Sequence, residues 1–196
     1  MVFLMDDSCF IYKEMNLIIT FYVDDIQYLG EKLEDVTWIE KSLAETFNMI
    51  NTGPTKFYLG SVINYDQLAK KIHISQARYV KQIIRDFDYL NAKPVHTPMR
   101  VDHKLIKEEK STVTKFQIQW YSSRVGSLNF LAVITRPDIS HATGVLLQFL
   151  TNPNESHCEA VDRVYAYLNT YPELGLIYGL DNTDLINYIN ADWAGD

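Results

Sequence analysis

The sequence predicts an α+β fold, in which an antiparallel sheet with one helix precedes a mainly helical region. Three observations carry this expectation. Early in the chain, strand-sized apolar runs alternate with turn-forming residues. Over 31–47 and 76–87 the apolar residues recur instead at three- and four-residue steps, the period of an amphipathic helix. Beyond Tyr121 the helical pattern dominates until two short apolar runs near the end, and strands followed by helices are the signature of this class.

The elements follow in order. Residues 10–12 and 17–22 are apolar and β-prone, with Lys13-Glu14-Met15-Asn16 between them as a turn. Asp24 and Asp25 precede a strand over 26–29 that ends at Gly30, which places two adjacent carboxylates at a hairpin tip. A helix over 31–47 is marked by Leu33, Val36, Ile39, Leu43 and Phe47, with acids in its first turn, where the helix dipole favours them. Asn51-Thr52-Gly53-Pro54 breaks it. Residues 57–65 and 71–74 read as strands around Asp66-Gln67-Leu68-Ala69. Ser75 stands where an N-cap belongs, ahead of a helix over 76–87 whose apolar face is Tyr79, Val80, Ile83, Ile84 and Phe87.

The polar stretch 91–115 contains Pro94 and Pro98 and reads as a linker and internal boundary. Helices are expected over 121–135, 139–150 and 156–169, with Pro137 and Pro153 at beginnings, where a missing N–H is tolerated. Strands over 174–178 and 185–190 close the chain.

The 196 residues suffice for a core in one ordinary domain or two small ones. No apolar run approaches the roughly 18 residues of a membrane helix, and no basic-then-apolar leader opens the sequence. Two cysteines, Cys9 and Cys158, exclude a disulfide scaffold and a four-cysteine zinc site. A soluble intracellular protein is expected. The net charge of −7 argues against a phosphate-rich partner, but its distribution does not: residues 1–55 carry −7, residues 56–115 carry +6 and residues 116–196 carry −6. A basic middle between acidic flanks suits either a phosphate-tracking surface or an unevenly charged solvated one.

Tyr22-Val23-Asp24-Asp25 is the sharpest chemical feature. Adjacent acids on a tight turn can bind divalent cations against substrate phosphates; Asp is also a common turn residue without further duty. Thr135-Arg136-Pro137-Asp138 reads as structural, with Pro137 starting a helix and Asp138 capping it or pairing with Arg136. His157, Cys158 and His141 have the wrong spacing for zinc. The tyrosines and tryptophans suit base stacking or, at their helical and strand spacing, core packing.

Tyr22-Val23-Asp24-Asp25-Ile26 resembles the YxDD hairpin of reverse transcriptases, and further stretches resemble, in order, a copia-type retrotransposon Pol polyprotein. These are Phe47-Asn48-Met49 with Gly53, Phe57-Tyr58-Leu59-Gly60, and Ile72-His73-Ile74-Ser75-Gln76-Ala77-Arg78-Tyr79-Val80. Thr97-Pro98-Met99, Val125-Gly126-Ser127-Leu128, Thr135-Arg136-Pro137-Asp138-Ile139, Pro153 with His157, and Tyr167-Leu168 continue the series. Ala191-Asp192-Trp193-Ala194-Gly195-Asp196 resembles the opening of the RNase H domain that follows in the family.

The resemblance implies a partial polymerase palm over 1–65, a basic thumb-like segment and linker over 66–115, a helical connection over 116–182 and the start of an RNase H-like domain over 183–196. It implies RNA-directed DNA polymerase chemistry, a two-metal nucleotidyl transfer with Mg2+ or Mn2+ at Asp24 and Asp25. Tyr22 would line the nucleotide or primer site, and Phe57, Tyr58, Leu59 and Gly60 would seat the primer end. Lys70, Lys71, Arg78, Lys81 and Arg85 would meet backbone phosphates. The implied partners are RNA or DNA template–primer and deoxynucleoside triphosphates, with no membrane, and the implied location is a cytoplasmic particle or the nucleus.

Three departures from the family pattern bear on activity. No earlier strand supplies the third palm carboxylate, since Asp6 and Asp7 stand too close to the hairpin, and no fingers precede it. Ile50 occupies the position where many members carry Lys. Asn190 replaces the first acid of the RNase H opening. The isolated chain is therefore expected to be inactive; a non-catalytic transposon relic and a co-opted nucleic-acid- or protein-binding module are the alternatives.

Overall fold

Short apolar, β-prone runs pair the first strands in sequence order. The computed structural model describes residues 2–6, 9–100, 105–107 and 113–179, with backbone alone for residues 2–6 and Lys13. Strands β1 (Val2–Asp6), β2 (Cys9–Tyr12), β3 (Leu17–Tyr22) and β4 (Asp25–Gly30) form an antiparallel sheet of that order. The register sets Phe10 beside Ile19, Ile19 beside Tyr28 and Phe21 beside Ile26, so one face carries an apolar row. Helix α1 (Leu33–Thr46) lies along that row, where Trp38 and Ile39 border a groove with Phe10, Tyr12, Leu17, Ile19 and Phe21. Among the described residues before Lys56, Leu17 alone is fully buried.

The chain divides into two compact units between Thr55 and Lys56. The expected boundary segment 91–115 lies inside the second unit, and Leu105 within it joins the core. Here a second antiparallel sheet runs β5 (Phe57–Tyr58), β6 (Ser61–Asp66), β7 (Lys71–Ser75) and β8 (Leu176–Tyr178). The last strand returns after all the helices to pair with β7, setting His73 beside Ile177. Gly175 makes this approach possible, because a Cβ there would fall 2.2 Å from the Ile74 carbonyl oxygen.

Helices α2 (Ala77–Asp86), α3 (Lys115–Ile134), α4 (Ser140–Leu147) and α5 (Glu155–Thr170) enclose the core of this unit. Ile83, Ile84, Tyr121, Leu128, Val161 and Leu168 are among its buried residues. Helices α3 and α5 start at capping boxes. Thr114 Oγ1 accepts from the Gln117 N–H at 3.2 Å while Gln117 Oε1 accepts from the Thr114 N–H at 2.9 Å. That reciprocal box begins α3 six residues before Tyr121, the expected start. Asn154 and His157 repeat the device at α5: Asn154 Oδ1 accepts from the His157 N–H, and His157 Nδ1 accepts from the Asn154 N–H. His157 also stacks on Phe149 with ring centroids 3.8 Å apart, so it is a packing and capping residue.

Three local expectations change. The single strand over 57–65 is two strands, because Leu59 and Gly60 turn the chain with φ of 47° and 82°. Ser75 is the last residue of β7, paired with Val62, and its backbone is thus committed to the ladder; Gln76 takes the cap position of α2 with no side-chain cap bond. Its Oε1 accepts instead from Thr135 Oγ1 at 2.8 Å. The helix expected over 139–150 is a 3-10 turn, Pro137–Ile139, followed by the shorter α4. The strand expected over 185–190 and the segment 183–196, with Asn190 and Asp192, lie outside the described residues.

Arg136 is fully buried at the junction of α3, α4 and α5. Its Nε and Nη2 donate to the Asp138 carboxylate at 2.9 and 2.8 Å, and its Nη1 donates to the Tyr171 carbonyl at 3.0 Å. Burial by itself raises the Asp138 pKa, but the hydrogen bonds and charge of Arg136 outweigh it and hold the carboxyl below its ordinary value. The stability supplied by this carboxylate is therefore complete above the unfolded aspartate pKa of about 3.9 and disappears as the pH falls through the lower folded value. Asp138→Asn, which leaves a buried guanidinium without its counter-charge, is expected to destabilise the chain by about 3 kcal/mol at pH 7 in urea denaturation. The gap to wild type should narrow below about pH 4; a gap independent of pH would show that the charge of Asp138 is not the source.

Candidate functional site

The carboxylate pair is built by the two-residue connection between β3 and β4. β3 and β4 pair along their whole length, ending with Tyr22 opposite Asp25, so only Val23 and Asp24 make the turn. The hairpin is fixed from behind, where Phe21 meets the edge of Phe10 at 5.4 Å. Burial, with the charge of Glu40 in support, pushes the Tyr28 hydroxyl pKa up. Tyr22, Val23, Asp24 and Asp25 are all exposed. Val23 has φ 53°, the left-handed region that a β-branched residue rarely enters, and is 87% exposed. A hydrophobic, branched side chain is thus held in a strained turn immediately before the two acids, at a cost of roughly 1–3 kcal/mol.

In kind, the donors suit Mg2+, which takes hard oxygen ligands and is commonly bound through one or two carboxylates with water and substrate phosphates filling the remainder. Among the described residues no group of three His, Cys, Asp or Glu side chains is placed to bind a metal, so Asp24 and Asp25 supply a partial ligand set.

The remaining site residues belong to the second unit. Phe57 and Tyr58 form β5, while Leu59 and Gly60 are the two-residue turn into β6, both at positive φ as a tight hairpin of this kind requires. Of the five cations expected to meet phosphates, Lys70 sits in the turn after β6 with φ 50°, and Lys71 opens β7 opposite Asp66. That turn is organised by Asp66 Oδ1, which accepts from the N–H groups of Leu68 and Ala69 at 3.0 Å each. Arg78, Lys81 and Arg85 all lie exposed on α2, yet each has a protein partner. The Arg78 guanidinium stands over the Phe57 ring, Lys81 is paired with Glu173, and Arg85 Nε donates to the Lys81 carbonyl at 3.1 Å.

Sequence reasoning missed Glu173, Tyr79 as a ring partner, and Phe130. Tyr79 and Phe130 pack edge to face at 5.1 Å although they are far apart in the chain, and no local spacing signals such a contact. It also missed Arg124, whose guanidinium lies 4.0 Å from the Trp120 ring and 4.5 Å from that of Phe87. No helix among the described residues is long and apolar enough to cross a membrane.

Residues 8–101 match the family described as Reverse transcriptase (RNA-dependent DNA polymerase). The Pol polyprotein from transposon TNT 1-94 of Nicotiana tabacum is 36% identical over 97% of this chain. That from transposon RE1 of Arabidopsis thaliana is 34% identical over 97%. An uncharacterized mitochondrial protein of Arabidopsis thaliana, AtMg00810, is 29% identical over 89% of this chain and 70% of its own length. The chain spans only 15% and 13% of the two polyproteins. No solved structure matches it.

Relief of the turn strain is measurable. Val23→Gly is expected to stabilise the chain by about 0.5–1 kcal/mol in urea denaturation, the left-handed penalty less the added entropy of the unfolded glycine. Val23→Ile should show no gain. A lower midpoint for the glycine variant would mean that the conformation at Val23 is unstrained.

Proposed function

The chain belongs to the copia-type retrotransposon Pol polyproteins through its reverse-transcriptase-like region, and from that premise we propose that it is the part of an RNA-directed DNA polymerase that presents two metal-binding carboxylates and seats the primer end. The observation that carries this reading is the pair Asp24 and Asp25 on a strained two-residue turn, held by a fully paired hairpin within the family-matching residues.

Asp24 and Asp25 contribute hard, negatively charged oxygens at the turn. Mg2+ or Mn2+, when bound, supplies neutralisation of triphosphate charge and activation of the primer hydroxyl for in-line displacement. Tyr22, exposed beside the acids, offers a ring to the nucleotide or primer. Phe57, Tyr58, Leu59 and Gly60 seat the primer end. Lys70, Lys71, Lys81 and Arg85 form the region that meets template–primer phosphates, contacts that position a duplex without reading its sequence. The partners are a template–primer and deoxynucleoside triphosphates, and the setting is a cytoplasmic particle or the nucleus.

With a third carboxylate lacking among the described residues, the 196-residue chain alone is proposed to bind nucleic acid without extending it. The test is paired. The purified chain is expected to bind an RNA–DNA hybrid with affinity that falls steeply as salt rises, as counterion release requires. It should give no Mg2+-dependent primer extension. In a longer polyprotein that does extend primers, Asp24→Asn or Asp25→Asn should lower the rate by at least about a hundredfold, the loss of transition-state charge stabilisation. Extension by the isolated chain that vanishes in Asp24→Asn would overturn the inactivity and keep the chemistry. Full polymerase activity in both asparagine variants would overturn the chemistry.

A further inference from the structure

The 57–60 turn has little ladder of its own, since β5 contributes only two residues. Two side chains from neighbouring helices border it instead, and a third links those helices. The Arg78 guanidinium of α2 stands 5.3 Å from the centroid of Phe57. A Cβ built at Gly60 would stand 4.0 Å from Phe130 Cζ, so the α3 ring borders the turn. Tyr79 then joins the helices, its ring edge-to-face with Phe130 at 80°. Phe57, Leu59 and Phe130 nevertheless remain 51%, 45% and 41% exposed, so their packing fixes the turn without withdrawing it from solvent.

We infer that Arg78, Tyr79 and Phe130 are positioning residues: they clamp the 57–60 turn between α2 and α3 and so set the pose of the primer-seating residues, a role that rests on the proposed function of that turn. Arg78 acts through the face of Phe57 rather than on a phosphate. A guanidinium can lie flat on a ring while presenting its edge, and a lysine ammonium cannot, so Arg78→Lys keeps the charge and loses the clamp. Phe130 needs an aromatic ring to meet both Gly60 and Tyr79, which makes Phe130→Tyr conservative and Phe130→Leu disruptive.

Amide hydrogen exchange of the full chain, with the melting temperature as control, reads the clamp directly. Arg78→Lys and Phe130→Leu are expected to raise exchange at Tyr58 and Ser61 about two- to fivefold, the range set by an exposed cation–π or aromatic contact. Phe130→Tyr should match wild type, and the melting temperature should stay unchanged in all three. Unchanged exchange at Tyr58 and Ser61, or exchange that rises uniformly over the chain, would overturn the inference. Binding to an RNA–DNA hybrid with a recessed 3′ end adds a second readout. Arg78→Lys and Arg78→Met should weaken it equally, with the salt dependence retained. A drop of about one in the log–log salt slope confined to Arg78→Met would make Arg78 a phosphate contact and refute the clamp. If the wild-type chain binds no hybrid, the proposed function of the turn fails, and the exchange measurement still decides whether the clamp exists.

Discussion

Arg136 is the point on which the second unit turns. A guanidinium with no solvent exposure must have its charge answered and its nitrogens hydrogen-bonded, and Asp138 and Tyr171 together supply this. Asp138 answers the charge from the 3-10 turn that follows α3, the Tyr171 carbonyl takes a donor from beyond the end of α5, and the Tyr167 ring lies 5.8 Å away. Asp138 in turn influences Tyr167, whose hydroxyl pKa is raised by burial first and by this carboxylate second. The ends of α3 and α5 are therefore fixed to one another by a polar knot inside an apolar core. The neighbouring residue extends the knot: Thr135 reaches Gln76 at the start of α2, so the helix that carries Arg78 and Lys81 is registered against the same junction.

Both tight hairpins carry non-glycine residues in left-handed backbone. Val23 precedes the two acids and Leu59 precedes Gly60. At each place glycine, or asparagine, would satisfy the geometry with less strain. Each side chain is also exposed, so core packing does not account for the choice. Strain at an exposed turn beside chemically pointed residues is the pattern of sites where presentation outranks stability. The surrounding structure compensates differently in the two cases. A six-residue ladder on each side supports Val23, whereas Leu59 has a two-residue strand before it and relies on side chains from α2 and α3.

Much of the fold was legible because its signals are local. The β-prone runs at 17–22 and 71–74, the helical spacing in 76–87, and Pro137 at a helix start each report their own conformation. Errors arose where a distant group decides or where a local signal is masked by its surroundings. Ser75 looks like an N-cap until Val62 claims its backbone, and the early start of α3 depends on a reciprocal bond between Thr114 and Gln117 hidden in a polar stretch. The turn inside 57–65 was masked because Phe57-Tyr58-Leu59 reads as uninterrupted strand and only Gly60 hints at reversal. The hairpin-tip position of Asp24 and Asp25 was legible in the sequence, while their duty as metal ligands rests on the family resemblance. The partners of its cations were not, since Glu173 reaches Lys81 from the segment just after α5.

Those partners do not remove the cations equally from a phosphate-binding role. Lys81 and Glu173 are 57% and 64% exposed, and an ion pair so open to water contributes at most about 1 kcal/mol. A phosphate contact there would be a charge-assisted bond of the same kind, so a carboxylate pairing this weak is no large barrier to exchange. Arg85 uses one N–H on its own helix and keeps four donors for a ligand. Arg78 differs, because its planar face is engaged by Phe57 and leaving that ring would also release the turn. Within the proposed function these five cations divide by geometry rather than by charge: Lys70, Lys71, Lys81 and Arg85 keep donors for a backbone, and Arg78 is engaged by a ring.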